Sequence, residues 1–451
     1  TGSCHYVKFN DKHILVDCGM EQGPDLYVNQ EIPVNASLID YVFITHAHID
    51  HSGLLPLLYN HGFRGEVYAT KATVELCNIM LKDSAHIQEF EAEWKNRKAR
   101  RAGLPEVTPL YDLNDAIGVL GHFNSCDYHS RINICEGLDV RFVDAGHLLG
   151  SSSIEMWITE QDVSRKLVFS GDIGNGNRPL IKDPEYIEDA DYVIMESTYG
   201  NRNHDTPPDY AVELAKIMNM TFTKGGNLVI PAFSVGRTQE IVYVLNELYN
   251  DGRLERVPVY VDSPLSANAT QIFRRYADTL NEHVRDTMRY DDDPFGFNSL
   301  HYITDLNESK ALNRSQEPCI VISASGMLEA GRIKHHVSNH IDDPSTTILI
   351  VGYCTPTSLG ARIQDPTLRY VSIFGYDHRI RAQVTKIEGF SGHGDYQEMI
   401  QYFSACQDVT KIRQTFIVHG ESEAQIAMKE HLHEAGFRHI HIPEKGEEMV
   451  L

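Results

Sequence analysis

The sequence has no apolar run near the ~20 residues that a helical membrane span requires, which excludes a span of that kind. Cysteine is present but never paired in a CxxC spacing. The residues at 4, 18, 77, 126, 135, 319, 354 and 406 are scattered, and a chain of 451 residues needs no disulfide staples. A reducing, cytoplasmic setting is therefore expected. Positive charge is short: 40 Lys and Arg face 63 Asp and Glu, for a formal charge of −23. Such a surface repels nucleic acid at long range, so any action on nucleic acid needs local cations, either bound metal or a confined basic groove. No signal peptide, internal repeat or low-complexity tract is visible. The chain begins at Thr1 without Met and runs almost at once into a strand-like segment, Cys4 to Phe9. Some native N-terminus is expected to be missing, and a lost targeting segment stays open.

What is present is ordinary globular composition, 42% apolar and 23% charged, long enough for two or three domains. The 23 histidines are the unusual component. Through the first 200 residues, short β-branched runs end abruptly in a polar residue. His13–Val16 ends at Asp17, Tyr41–Thr45 at His46, and Val140–Val143 runs into Asp144 and His147. Lys166–Ser170 ends at Asp172, and Tyr192–Met195 at Glu196. These read as buried strands closed by functional loops. Ala72–Ala85 and His86–Ala102 read as an inserted helical pair stopped by Gly103 and Pro105. Asn201 to Pro208 reads as a linker. Strands and helices then alternate, which predicts a parallel α/β unit. Near Phe390 the first theme returns, and Thr415–Val418 ends at His419. One domain inserted into another explains this order.

The sharpest signal is THAHIDHSG, Thr45 to Gly53, with His46, His48, Asp50 and His51 directly after an apolar strand. Imidazole and carboxylate are the ligands expected for zinc and similar ions. His46 and His48 alternate and can face one ion, while Asp50 and His51 lie further round the turn and can serve a second. His147, Asp172 and His419 stand at comparable strand ends, where open α/β sheets gather their sites.

HAHIDH, with Asp17 in VDCG, His147 in DAGHLLGS and Asp172 in FSGDIG, resembles the metallo-β-lactamase superfamily. ESTYG (Glu196), FSGHGD (His393) and VHGE (His419) resemble its β-CASP branch, which processes nucleic acids. The resemblance implies an α/β fold, a metallo-β-lactamase αββα sandwich in residues 1–200 and 376–451, with an inserted β-CASP domain in 201–375. It implies two divalent ions, zinc in the first instance with manganese or iron as alternatives. His46, His48 and His147 would hold the first, and Asp50, His51 and His419 the second. Asp172 would bridge them, and Asp17 would orient the ligand loop. His393 would act as general acid, with Glu196 orienting it.

The same resemblance implies a ribonuclease acting on single-stranded RNA in processing or decay, by endo- or exonucleolytic cleavage. RNA-acting members carry His at the last motif, as His419 does here, where a DNA-acting branch has an aliphatic residue. Hydrolysis of DNA, or of a small ester or thioester on the same metal core, is the alternative. Pairing into a homodimer is a family habit for which the sequence carries no interface signal. PAFSVGRTQE offers Ser234 and Arg237, and SASGMLEAGR offers Ser325, Gly326 and Arg332, as phosphate contacts at strand–helix turns. Neither carries the Lys-Ser/Thr of a Walker A loop. VGYCTPTSLGARI (Val351–Ile363) also resembles the family, which implies Arg362 as a further backbone contact. The basic cluster Lys95, Arg97, Lys98, Arg100 and Arg101 reads as a solvated helix face, with Trp94 packed into the core.

Overall fold

The fold was described from a computed structural model, which describes residues 2–21, 32, 34–205, 208–254, 257–315 and 317–451. Its contacts divide the chain into two compact units. The first comprises 1–177, 183–203 and 392–451, and the second 178–182 and 204–391. Residues 376–391, assigned to the C-terminal part on sequence, lie with the second unit, because the strand Gln383–Lys386 pairs in register with Thr347–Ile350 there. Residues 206 and 207 of the expected linker lie outside the described residues. Among the described residues, no helix is long and apolar enough to cross a membrane.

The first unit is built on two sheets. One runs, in spatial order, His5–Phe9, Lys12–Val16, Tyr41–Phe43, Glu66–Thr70 and Phe123–Cys126. The first pair is antiparallel and the rest parallel. The other runs Ile440–His441, Gln414–Ile417, Tyr192–Met195, Val163–Phe169, Ser152–Glu160, Leu138–Asp144 and Ile132–Cys135. Phe9, Ile14, Val16 and Phe43 of the first sheet share one core with Phe142, Ile154, Leu167 and Phe416 of the second. On the far side of the second sheet, Val168, Val193 and Ile417 pack against Met399, Phe403, Met428 and Leu432 of the helices Tyr396–Ser404 and Ser422–Glu434. With helices on the outside and two sheets within, the unit is an αββα sandwich. Both faces of a central strand are covered, which explains continuous apolar runs such as Ile14–Leu15–Val16, all fully buried.

The expected helical pair is instead a single helix, Lys71–Ala102, followed by a short one at Leu113–Leu120. Neither Gly nor Pro interrupts 71–102, so nothing stops the helix until Gly103, which adopts φ 67° at the C-terminus. Trp94 is not in the core: it is 52% exposed, and the Lys98 ammonium lies 3.4 Å from its ring centroid. The helix has its apolar stripe at Leu76, Met80, Leu81, Ala85 and Ala92, and Trp94 falls outside it. Arg97 and Arg100 pair with Glu93 and Glu106 on the solvated face.

The second unit has a six-stranded parallel sheet in the order Leu300–Ile303, Val259–Asp262, Ile320–Ser323, Leu228–Pro231, Thr347–Ile350, Gln383–Lys386. A separate antiparallel hairpin, Tyr370–Ile373 with Tyr376–Arg379, was not foreseen. Its alternation is too short to stand out from loop sequence.

At the end of its strand, Asp262 is fully buried. It accepts hydrogen bonds from Arg332 Nη1 at 2.7 Å and Ser309 Oγ at 2.6 Å, and lies 2.7 Å from His336 Nε2. Burial alone would raise this carboxyl, but the bonds from His336, Ser309 and Arg332 prevail and hold it below the usual range. A depressed carboxyl stabilises the fold above its unfolded value of about 4, and the contribution is lost as pH falls through the folded value. Asp262→Ala is expected to cost about 3 kcal/mol by leaving the buried His336 and the partly exposed Arg332 without their shared partner. Urea unfolding at pH 7 and at acid pH checks both, since the difference between the variant and the wild type should shrink in acid.

Candidate metal centre

In the first unit, the loops that follow the strands of the two sheets bring the predicted ligands together. Asp17 follows its strand with φ 60°. Its carboxylate accepts from Thr45 N at 2.8 Å and Thr45 Oγ1 at 2.9 Å, and lies 2.7 Å from His51 Nδ1. This ties the end of one strand to the HAHIDH loop. Two glycines allow the loops to close. A Cβ on Gly19 would fall 1.7 Å from the Asp50 carbonyl, and one on Gly174 would fall 1.8 Å from the Gly146 carbonyl. The second contact brings the Asp172 loop against the His147 loop. Gly174 also bridges to His393, which carries that residue to the same place.

Ligand-type atoms gather in overlapping groups within 4.8 Å: His46, His48, His147 and Asp172; then Asp50, His51 and His419; and Asp172, Glu196 and His419. His46 Nε2 lies 3.0 Å from His48 Nδ1, and His147 Nε2 lies 3.2 Å from the same atom. Asp172 sits among them. Its Oδ2 is 3.4 Å from His46 Nε2 and 3.5 Å from His147 Nε2. Its Oδ1 is 3.1 Å from His51 Nε2 and 3.5 Å from His419 Nδ1. Asp50 Oδ2 is 3.4 Å from His419 Nε2.

Hydrogen bonding on the outer side of the rings assigns their protons. His147 Nδ1 lies 2.8 Å from the Gly392 carbonyl, which can only accept, so Nδ1 carries the hydrogen. His51 Nδ1 faces the Asp17 carboxylate in the same way. Thr45 Oγ1 gives its own proton to Asp17 and so can accept from His46 Nδ1 at 3.1 Å. In the neutral rings, all three Nε2 atoms are therefore bare lone pairs aimed inward. His51 Nε2 and Asp172 Oδ1 are buried and have no hydrogen-bond partner. Lone pairs facing one another at about 3 Å in a dry interior repel, and a cation between them removes that cost. The donor set thus fits divalent metal.

The charges follow the same geometry. Without a cation between the rings, burial lowers His51, but Asp172 and Asp17 outweigh it and raise this imidazole well above its usual value, so that it takes a proton. Burial first, then the charged His51, lowers His46 well below that value. Burial resists charge on Asp172, but His51, His419 and His393 prevail and keep it well below the carboxylate range. His393 lies beside the groups above: its Nδ1 is 3.1 Å from both Glu196 oxygens and 3.9 Å from Asp172 Oδ2. Burial lowers this imidazole, yet Glu196 and Asp172 outweigh it and push it up to about 10. Glu196 is held by Ile173 N at 2.6 Å and Thr198 N at 3.2 Å.

The remaining candidates lie in the second unit, and none of them is a member of a ligand-type cluster among the described residues. Ser234, Ser325 and Gly326 follow adjacent strands of the parallel sheet at their carboxyl ends. Ser234 Oγ is 3.3 Å from Ser263 Oγ, and Gly326 lies against the Phe233 ring. Arg237 is committed to Glu240 and to the Phe390 carbonyl. Arg332 is committed to Asp262 and to the Thr304 carbonyl. Both were read as phosphate contacts, and both spend their guanidinium on internal partners. Arg362 is exposed.

Sequence reasoning missed Thr45, Thr198 and the Gly392 carbonyl. Thr198 Oγ1 lies 3.3 Å from His419 Nδ1. Thr45 stands next to HAHIDH, but a hydroxyl there has no signature. A backbone carbonyl leaves none at all.

Three family descriptions match the chain in order. They are the metallo-beta-lactamase superfamily over 1–191, the Beta-Casp domain over 238–363, and the Zn-dependent metallo-hydrolase RNA specificity domain over 377–443. The chain is 35% identical to Ribonuclease TTHA0252 of Thermus thermophilus, across 95% of its own length and 92% of that protein. The chain belongs to the β-CASP family of the metallo-β-lactamase superfamily. It is 30% identical to an RNase J-like protein of Methanocaldococcus jannaschii, over 93% of this chain and 89% of that one. It is also 30% identical to Transcription termination factor FttA of Methanosarcina mazei, over 94% of this chain and 65% of that one. In a β-CASP chain, a His/Asp cluster of this kind is a divalent-metal site.

Metal should therefore stabilise the fold. Free ion at 100 times its dissociation constant is expected to add about 2.7 kcal/mol, removed again by chelation. Thr45→Val should weaken metal affinity roughly 10–100-fold by releasing His46 from its hydrogen bond. Metal analysis of dialysed protein together with thermal unfolding checks both.

Proposed function

We propose that this β-CASP protein is a metal-dependent ribonuclease that hydrolyses phosphodiester bonds of single-stranded RNA. One observation carries the reading: one oxygen of Asp172 lies within 3.5 Å of His46 and His147 and the other within 3.5 Å of His51 and His419, and the His393–Glu196 pair stands beside it. The names of the relatives, ribonuclease and RNase J-like, support RNA as the substrate.

His46, His48 and His147 would hold one divalent ion, and Asp50, His51 and His419 a second, with Asp172 between them. Zinc suits the imidazole-rich set, which also accepts manganese or iron. Bound there, such ions supply positive charge to the phosphate and make hydroxide available at neutral pH. Asp17 keeps His51 in the tautomer that presents Nε2 inward, and Gly392 does the same for His147. Asp172 is an acceptor at the centre and would orient the attacking water. His393 gives its Nδ1 hydrogen to Glu196, which leaves Nε2–H to protonate the departing oxygen. The carboxylate keeps the ring charged until that proton leaves.

In the second unit, Ser234, Ser325, Gly326 and Arg362 would touch the RNA, while Arg237 and Arg332 brace the turns that carry them. All eight cysteines are free thiols, which supports a reducing, cytoplasmic setting. Pairing of two copies is part of the proposal on family grounds.

The test uses metal-replete protein with a 5′-labelled single-stranded RNA and the matching DNA. Cleavage of RNA alone is expected. Asp172→Ala should abolish it, and His393→Ala should slow it about 10²–10⁴-fold, the usual worth of a general acid. Internal fragments would mark an endonuclease, and stepwise mononucleotides an exonuclease. Failure of metal-loaded protein to cut either strand would sink the reading.

A further inference from the structure

An acidic ribonuclease must hold a polyanion somewhere, and of the three arginines expected to do so, Arg237 and Arg332 are committed to internal partners, which leaves Arg362. Exposed cations without such partners collect on the hairpin of the second unit. Between 369 and 381 stand Arg369, Arg379 and Arg381 against a single acid, Asp377, in a chain whose formal charge is −23. These three arginines are exposed, and none has a side-chain hydrogen bond or carboxylate partner among the described residues. Elsewhere in the chain, Arg97, Arg100, Arg131, Arg141, Arg274 and Arg413 are paired with acids, and the exposed arginines without such a partner among the described residues, such as Arg101, Arg285, Arg314 and Arg362, are scattered along the sequence.

The same hairpin displays aromatic rings. Tyr370 is 58% exposed, Phe374 50% and Tyr376 74%. Tyr370 stands directly opposite Arg379, so ring and guanidinium share one outward face. Underneath, Val371 and Ile373 are buried in the core of the unit, which fixes the hairpin in place. At the tip, Phe374 and Gly375 have φ 55° and 83°, a tight two-residue turn in which Phe is a poor choice for the backbone. The ring is held against His335, with centroids 4.6 Å apart, and under the Lys334 ammonium at 5.5 Å.

Exposed rings interleaved with unpaired cations form a stacking platform with charge for a backbone. We infer that this hairpin is an RNA-binding exosite, in which bases of a single strand stack on Tyr370, Phe374 and Tyr376 while Arg369, Arg379 and Arg381 neutralise phosphates. The inference rests on the ribonuclease reading for its ligand. Three unpaired guanidinium groups call for a polyanion and the rings between them for bases to stack, and single-stranded RNA supplies both.

The experiment measures fluorescence anisotropy of a labelled oligouridylate of about 20 nucleotides, enough to span one such platform. Full-length, metal-replete protein is used in the His393→Ala background, so that the strand stays intact. Arg379→Gln with Arg381→Gln should raise Kd about tenfold and reduce the salt slope by roughly 1.4, two single-strand phosphates' worth. Tyr370→Ala with Tyr376→Ala should raise Kd at least about fivefold with the slope unchanged. In the otherwise wild-type chain, neither pair should alter cleavage of an RNA too short to reach beyond the scissile bond. Photocrosslinking of 4-thiouridine RNA to the unsubstituted chain should label 370–379, a readout that does not depend on variants folding.

Unchanged Kd and slope in both pairs, or crosslinks confined elsewhere, would overturn the inference. So would a shift from dimer to monomer on sedimentation at unchanged RNA affinity, which would make the hairpin a contact between copies. Hairpin-dependent RNA binding by a wild-type chain that cuts no RNA would instead sink the ribonuclease reading and leave the exosite standing.

Discussion

The first unit depends on an electrostatic problem at its centre. The Asp172 carboxylate is buried between rings whose bare nitrogens point at it and at one another. No arrangement of protons on neutral imidazoles satisfies all these lone pairs, because the outer nitrogens of His46, His51 and His147 are already committed to Thr45, Asp17 and Gly392. Divalent cations satisfy them. The folding of this lobe and the binding of metal are therefore linked, and groups such as Asp17 serve both.

This constraint explains much of the surrounding architecture. Ligands arrive from loops separated by hundreds of residues, yet each loop starts at the end of a strand whose position is set by sheet registry. The two sheets share one core, so the strand ends are held rigidly. Glycine occurs where backbones must nearly touch, at Gly19 and Gly174. His393 is carried in by its pairing with Gly174, so it and Asp172 are positioned by the same stretch of chain.

The second unit solves a different problem. Its parallel sheet carries serine- and glycine-bearing turns at the carboxyl ends of adjacent strands, and its arginines include two contrasting sets. Arg178, Arg237 and Arg332 face buried carboxylates and brace the fold. Arg369, Arg379 and Arg381 face solvent. A motif such as SVGR does not distinguish these sets, since the partner of each arginine is remote in sequence or lies on the next helical turn.

The fold class and the members of the His/Asp cluster were legible in the chain. His46, His48, Asp50 and His51 lie within six residues, too dense for a core to bury without a cation. The rhythm of strands ending in a polar residue carried Asp17, His147, Asp172, Glu196 and His419. Local sequence determined these features because each depends on residue type and short spacing. The tertiary structure alone decided which nitrogen of each ring faces inward, since that follows from a threonine hydroxyl, a remote carboxylate and a backbone carbonyl. It alone exposed Trp94 and merged two expected helices into one, because helix continuation is limited by breakers and packing partners. It also removed Arg237 and Arg332 from the exposed cations and placed others on the hairpin, because a guanidinium is free only when no buried carboxylate claims it.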